Sequence, residues 1–144
     1  MGTVVALWLK RAKRGPMDAV MTAELVAGRG LRGNANQGGR RQVTIIDQAV
    51  WEVARRTLGP DVHPAMRRAN VMLCGIDLRA ARGHILRLGN CRIRILGEVT
   101  PCERMEEAHA GLRAFLRPEW RGGVFGEVLD DGFVSVGEEA AVES

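Results

Sequence analysis

The stretch ILRLGNCRIRILGEV, residues 85–99, sets the class of fold. Two β-rich runs, residues 85–88 and 91–99, flank Gly89-Asn90. A Gly-Asn pair between such runs is a hairpin signal, because a tight turn between twisted strands needs residues that tolerate positive φ. Strand signals recur to either side. Residues 4–9, 42–46 and 70–74 are short runs rich in apolar and β-branched side chains, and residues 17–27 carry a weaker version of the pattern. Residues 124–129 and 133–136 read as a second hairpin around Asp130-Asp131-Gly132. Two segments read as helices. Asp47 caps the first, whose apolar positions Val50, Val53, Ala54 and Leu58 recur at helical spacing until Gly59-Pro60 stops it. The second covers residues 101–116. Many short strands with about two helices predict a mainly β fold, a small closed β-barrel, rather than alternating βαβ units.

The chain of 144 residues fits one domain, with a core over about residues 4–138 and an acidic, frayed tail over 139–144. It is 46% hydrophobic and 26% charged, which excludes long disorder. Eighteen glycines match the many turns of a small barrel. The net charge is +4 and arginine far outnumbers lysine, which favours anionic partners and bidentate recognition of phosphate or carboxylate. Charge alone does not separate nucleic acid from a phosphorylated cofactor. With only six aromatic residues, Trp8, Trp51 and Trp120 among them, the aromatic platform of a single-strand binder is absent. The apolar run over residues 4–9 is too short to cross a bilayer, and the expected location is the cytoplasm.

Three cysteines, Cys74, Cys91 and Cys102, leave at least one unpaired, and reduced thiols are expected. Thr100-Pro101-Cys102-Glu103 fits a capping box with Thr100 as N-cap and Glu103 at the third helical position. Cys102 would then lie in the first helical turn, where free N–H groups favour a thiolate able to bind a soft metal or carry sulfur. Glu103, Glu106 and Glu107 oppose that effect, and a buried inert thiol is the alternative. The histidines His63, His84 and His109 have no metal-ligand spacing.

Residues 28–33 match the dinucleotide pattern G-x-G-x-x-G, but no helix follows and no βαβ unit surrounds them, so a Rossmann site is rejected. The loop over residues 28–39 could still offer backbone N–H groups to an anion, or serve as a plain crossover. Two arginine pairs, Arg40-Arg41 and Arg67-Arg68, each stand directly ahead of a strand. Strand ends point side chains at a barrel mouth, so the pairs, with Lys10, Arg11, Lys13 and Arg14 nearby in sequence, make a phosphate site the favoured reading.

Several of these motifs follow one order. Gly30-Leu31-Arg32-Gly33-Asn34 resembles the G-L-x-G-D element of MOSC domains, named for the C-terminal part of molybdenum cofactor sulfurase. The run from Arg41 through Gln42, Val43, Thr44 and Ile45 to Ile46 is similar to their R-Q-V-T-L-I strand, and residues 67–78 to their R-x-N-h-h-h-x-G-h-x-L element. Pro101-Cys102 matches the P-C pair with the family's signature cysteine, and residues 122–126 and 132–137 resemble its closing glycine-rich hairpin. Asn34 stands where aspartate is usual, and Glu138 where many members have aspartate. The resemblance covers roughly residues 4–138.

What the resemblance implies is a β-barrel binding the molybdenum–pterin cofactor, and an oxidoreductase acting on N-hydroxylated compounds or a cofactor-handling relative. Cys102 takes the role of molybdenum ligand and catalytic residue. Arg40, Arg41, Arg67, Arg68, Asn70 and Asn34 are the candidate cofactor-binding residues, with Arg41, Arg68 and Asn70 those carried over from the family. The pyridoxal phosphate domain of the sulfurase has no counterpart here, so no pyridoxal phosphate is expected. No iron–sulfur, haem or flavin motif occurs, so a small-molecule substrate would be reduced with electrons from a separate protein. Two other readings stay open: a non-enzymatic persulfide carrier using Cys102 with a separate sulfur donor, and, ranked last, a basic nucleic-acid-binding barrel.

Overall fold

The fold is described from a computed structural model over residues 1–143. The elements in chain order are β1 (Gly2–Lys10), β2 (Met17–Val20), β3 (Thr22–Val26), β4 (Gly30–Leu31), β5 (Val43–Asp47), α1 (Gln48–Leu58), β6 (Val71–Cys74), β7 (Ile85–Leu88), β8 (Cys91–Glu98), α2 (Glu103–Ala108), α3 (Leu112–Leu116), β9 (Val124–Val128), β10 (Gly132–Ser135) and β11 (Glu139–Glu143). Two 3₁₀ turns, Pro64–Arg67 and Pro118–Trp120, complete the set.

Seven strands close into a barrel in the order β11-β7-β8-β9-β5-β6-β1, with β1 pairing back to β11, and β2 extends the sheet from β1. Every neighbouring pair around the ring is antiparallel except β5 and β6. The expected hairpin of residues 85–99 is present, with Leu88 opposite Cys91. A three-stranded sheet, β10-β3-β4, contributes Ala23, Leu25, Leu31 and Val134 to the barrel's interior core.

Alternation along the strands divides the core in two. Val43, Ile45, Val71 and Leu73 face into the barrel, while Ile46 and Met72 face out, as period-two geometry requires. Trp8, Ile46 and Met72 on the outer wall pack with Trp51 and Ala54 of α1, Met105 of α2, and Leu112 and Leu116 of α3. The helices thus cover one outer side of the wall. Helix α1 begins where expected: Asp47 Oδ1 accepts from the Ala49 N–H at 3.0 Å, and Gly59 ends it.

Four expectations are corrected. Residues 101–116 form two helices, not one: the chain is extended at His109 and takes φ 86° at Gly111, a conformation suited to glycine. The first of them starts at Glu103, with Cys102 at the N-cap and no side-chain cap bond, so Thr100 builds no capping box. Strands β9 and β10 do not pair with each other: β9 lies between β8 and β5, and β10 pairs with β3. The tail, through Glu143, is not frayed but forms β11, which closes the ring against β1 and β7.

Candidate functional site

The parallel pair sets the geometry of the site. Strands β5 and β6 begin on the same rim, and β1, antiparallel to β6, ends there. This brings together Lys10 at the end of β1, Arg41 and Thr44 at the start of β5, and Arg68, Ala69 and Asn70 at the start of β6. They line a cleft of about 730 Å³, counted out to its open side, whose far wall carries Val99, Cys102, Arg104 and Met105. Thr44 stands between two inward-facing neighbours and so faces outward. The cleft therefore lies between the outer barrel wall and the segment leading into α2, not in the barrel mouth.

Five cations line the cleft, Lys10, Arg41, Arg67, Arg68 and Arg104, and no carboxylate does. None of the five forms an ion pair among the described residues. The consequence shows at Lys10, whose ammonium is pushed below its ordinary range first by burial and then by Arg68, Arg104, Arg41 and Lys13. Such crowding of like charges is relieved by an anion in the cleft.

The two arginines of the second pair do different work. Arg68 takes the left-handed conformation, φ 61° and ψ 35°, as the chain leaves its 3₁₀ turn, and its side chain lines the cleft. Arg67 is 8% exposed. Its Nε donates to the Gly122 carbonyl at 2.8 Å and its Nη2 to the Val99 carbonyl at 2.9 Å. It thereby ties the turn before β9 to the segment that ends in Cys102. Gly122 is required there, since a side chain would overlap the Val99 carbonyl. Burial pulls the Arg67 guanidinium below its usual range, against the influence of Cys102.

Of the first pair, Arg41 stacks over the Phe125 ring, 5.2 Å from its centre, and lines the cleft. Arg40 does not line it. Asn34 and Asn70 do, but their amides are engaged within the chain. Asn70 Oδ1 accepts from the Thr44 backbone N–H and hydroxyl, and its Nδ2 donates to Trp8 O and Asn34 Oδ1. Asn34 Oδ1 also accepts from the Lys10 N–H at 2.8 Å. These two amides lock β1, β5, β6 and the glycine-rich loop to one another under the cleft.

All three cysteines are free thiols, and they differ in exposure: Cys91 is buried, Cys74 half-buried and Cys102 exposed. Arg11, grouped with the basic residues in the sequence, is paired with Asp18 at 2.9 Å. Arg104 and Asn36 were not singled out by sequence. The signal for Arg104 was its place two residues after Cys102; that for Asn36 was the loop it shares with Asn34. Among the described residues no group of three or more His, Cys, Asp or Glu side chains could hold a metal ion together. Among the described residues no helix is long and apolar enough to cross a membrane.

The molecule is thus a closed β-barrel protein whose outer wall carries a cation-lined cleft with an exposed cysteine. The chain belongs to the MOSC domain family, whose model matches residues 32–141. It is similar in structure to the YuaD protein from Bacillus subtilis, with a TM-score of 0.79 at 18% identity over 97% of this chain and 94% of that one. YiiM from Escherichia coli gives a TM-score of 0.76 at 18% identity, over all of this chain and 70% of that one. YiiM from Geobacillus stearothermophilus gives 0.79 at 12% identity, over all of this chain and 76% of that one. At these identities the likeness shows the fold alone. No curated protein matches the chain in sequence.

Proposed function

We propose that this MOSC domain binds the molybdenum–pterin cofactor and reduces N-hydroxylated compounds, with Cys102 as the ligand to molybdenum. The observation that carries the reading is the sharing of one cleft by the exposed thiol Cys102 and unpaired cations, with no carboxylate between them. The residues present fit the group. A thiolate suits a soft metal, and guanidinium and ammonium groups suit a phosphate. When bound, the cofactor would supply the two-electron chemistry.

The chain's own residues do the rest. Lys10, Arg41 and Arg68 hold the phosphate from the rigid rim of the barrel. Arg67 acts through Val99 and Gly122 to fix the segment bearing Cys102. Val99 and Met105 supply the apolar part of the wall against a flat ring. The overall reaction consumes two electrons and two protons: R–NHOH + 2e⁻ + 2H⁺ gives R–NH₂ + H₂O, with the electrons delivered by a separate electron-transfer protein. No carboxylate or imidazole lines the cleft, so the protons enter from water at its open side.

The test is metal analysis of the protein expressed with molybdate in a host that makes the cofactor. About one molybdenum per chain is expected, and Cys102→Ser should remove most of it without lowering the melting temperature, since the side chain is exposed. Metal-free wild-type protein from such a host overturns the reading.

The exposure of Cys102 also suits a second reading, a persulfide carrier. There a donor persulfide R–SSH and the Cys102 thiol give R–SH and a Cys102 persulfide. A labile gain of one sulfur on Cys102 by mass spectrometry, with no molybdenum, selects it.

A further inference from the structure

We propose that the substrate of this site carries its own negative charge and that Arg104 is the residue that reads it. The inference rests on the cofactor-binding reading above and adds to it a substrate class and a specificity residue.

The first argument is one of charge. Five cations line the cleft. A phosphate monoester brings at most two negative charges, and a cysteine thiolate one. A site built for those alone would leave two cations without a counter-charge in a partly dehydrated cleft, where like charges repel more strongly than in water. Lys10 is held below its ordinary range by burial first, and Arg68, Arg104, Arg41 and Lys13 push it the same way.

The second argument is one of position. Lys10, Arg41 and Arg68 belong to strand ends on the barrel rim. Arg67 is engaged with two backbone carbonyls. Arg104 alone among the five stands on the wall that carries Cys102, in the first turn of α2. It is exposed, as Cys102 is, so a molecule in the cleft can reach both.

The third argument is the side chain's choice of neighbours. Glu103 adjoins Arg104, and Glu107 lies three residues on, a spacing at which helical side chains commonly pair. Arg104 makes no ion pair with either. It lines instead a cleft already crowded with positive charge. A guanidinium there is poised for a carboxylate or a second phosphate, which it grips with two parallel hydrogen bonds.

The experiment uses the molybdenum-loaded protein and two probes, benzamidoxime and its 4-carboxylate. Three quantities are read for wild type, Arg104→Gln and Arg104→Lys: molybdenum content, the ratio of kcat/KM for the carboxylate over the neutral probe, and equilibrium binding of the carboxylate probe to oxidised protein without electron donor. Wild type should prefer the carboxylate. Arg104→Gln should keep its molybdenum, lower the ratio about tenfold and weaken probe binding about tenfold. Arg104→Lys, which keeps charge but loses the fork, should recover part of both. The proposal is overturned if the wild type shows no preference for the carboxylate, if the ratio is unchanged in Arg104→Gln, or if that variant loses its molybdenum, which would make Arg104 a cofactor anchor. Metal-free wild type overturns the underlying reading as well, so the two failures are told apart by the first measurement.

Discussion

Replacing Arg67 with methionine would leave the Gly122 and Val99 carbonyls without the donors that now reach them at 2.8 and 2.9 Å. Unsatisfied buried acceptors cost on the order of 1–3 kcal/mol each, partly offset here by removal of a buried charge, so a net loss of about 2 kcal/mol is expected in urea unfolding. Alkylation of Cys102 should also change in rate, because the segment Arg67 pins ends at that residue; an unchanged stability and rate would show that the staple is dispensable. This division of labour was not legible in the sequence, where Arg67 and Arg68 look alike. The left-handed turn at Arg68 sends neighbouring side chains to different surroundings, one buried against carbonyls and one into the cleft. Cys102 and Arg41 were legible because their neighbours spell out a motif. Arg104 was not, since the carboxylates of Glu103 and Glu107 beside it suggest an ordinary solvated helix face.

At the scale of elements, helix α1 offers a test with a defined sign. Burial is the chief cause that raises Asp47 above the usual carboxylate range; Asp77 and Glu52 add to it, and the Ala49 N–H opposes it. A carboxyl with a raised folded-state value binds more protons folded than unfolded within that window, so its contribution to stability falls as pH rises through it. Asp47→Asn keeps an acceptor for the Ala49 N–H and removes the half-buried charge. It should be more stable than wild type at about pH 7 and lose that advantage below about pH 3, whereas Asp47→Ala should cost about 1 kcal/mol through the lost cap. Thermal melts at the two pH values check both. Helix α1 was readable because its cap, period and stop are all local. The break inside residues 101–116 was not, because apolar positions continue at Met105, Leu112 and Leu116 on both sides of it. The turn after β9 misled for a related reason. Asp130 binds Arg92, and Asp131 accepts from the Ala27 N–H, so both turn aspartates serve other segments instead of closing a hairpin of their own.

For the whole molecule, closure depends on the last strand. Deleting residues 139–144 would free the edges of β1 and β7 that now pair with β11, and would uncover Leu86 and Leu88 beside them. The shortened chain should lose its cooperative thermal transition and the hydrogen-exchange protection of β7, while a melt like that of the full chain would show β11 to be an accessory. The acidic composition of the tail concealed this role, which is set by two open edges distant in sequence. The count of strands in the ring has a consequence of its own. Seven is odd. A circuit of alternating up and down directions cannot meet itself after an odd number of steps, so parity obliges one pair of neighbours to point the same way. That obligation falls on β5 and β6, and the long crossover it demands returns the chain to the edge it had just left. An eighth strand in the ring would lift the constraint, and a fully alternating ring would set the start of β6, with Arg68, at the opposite end from Arg41.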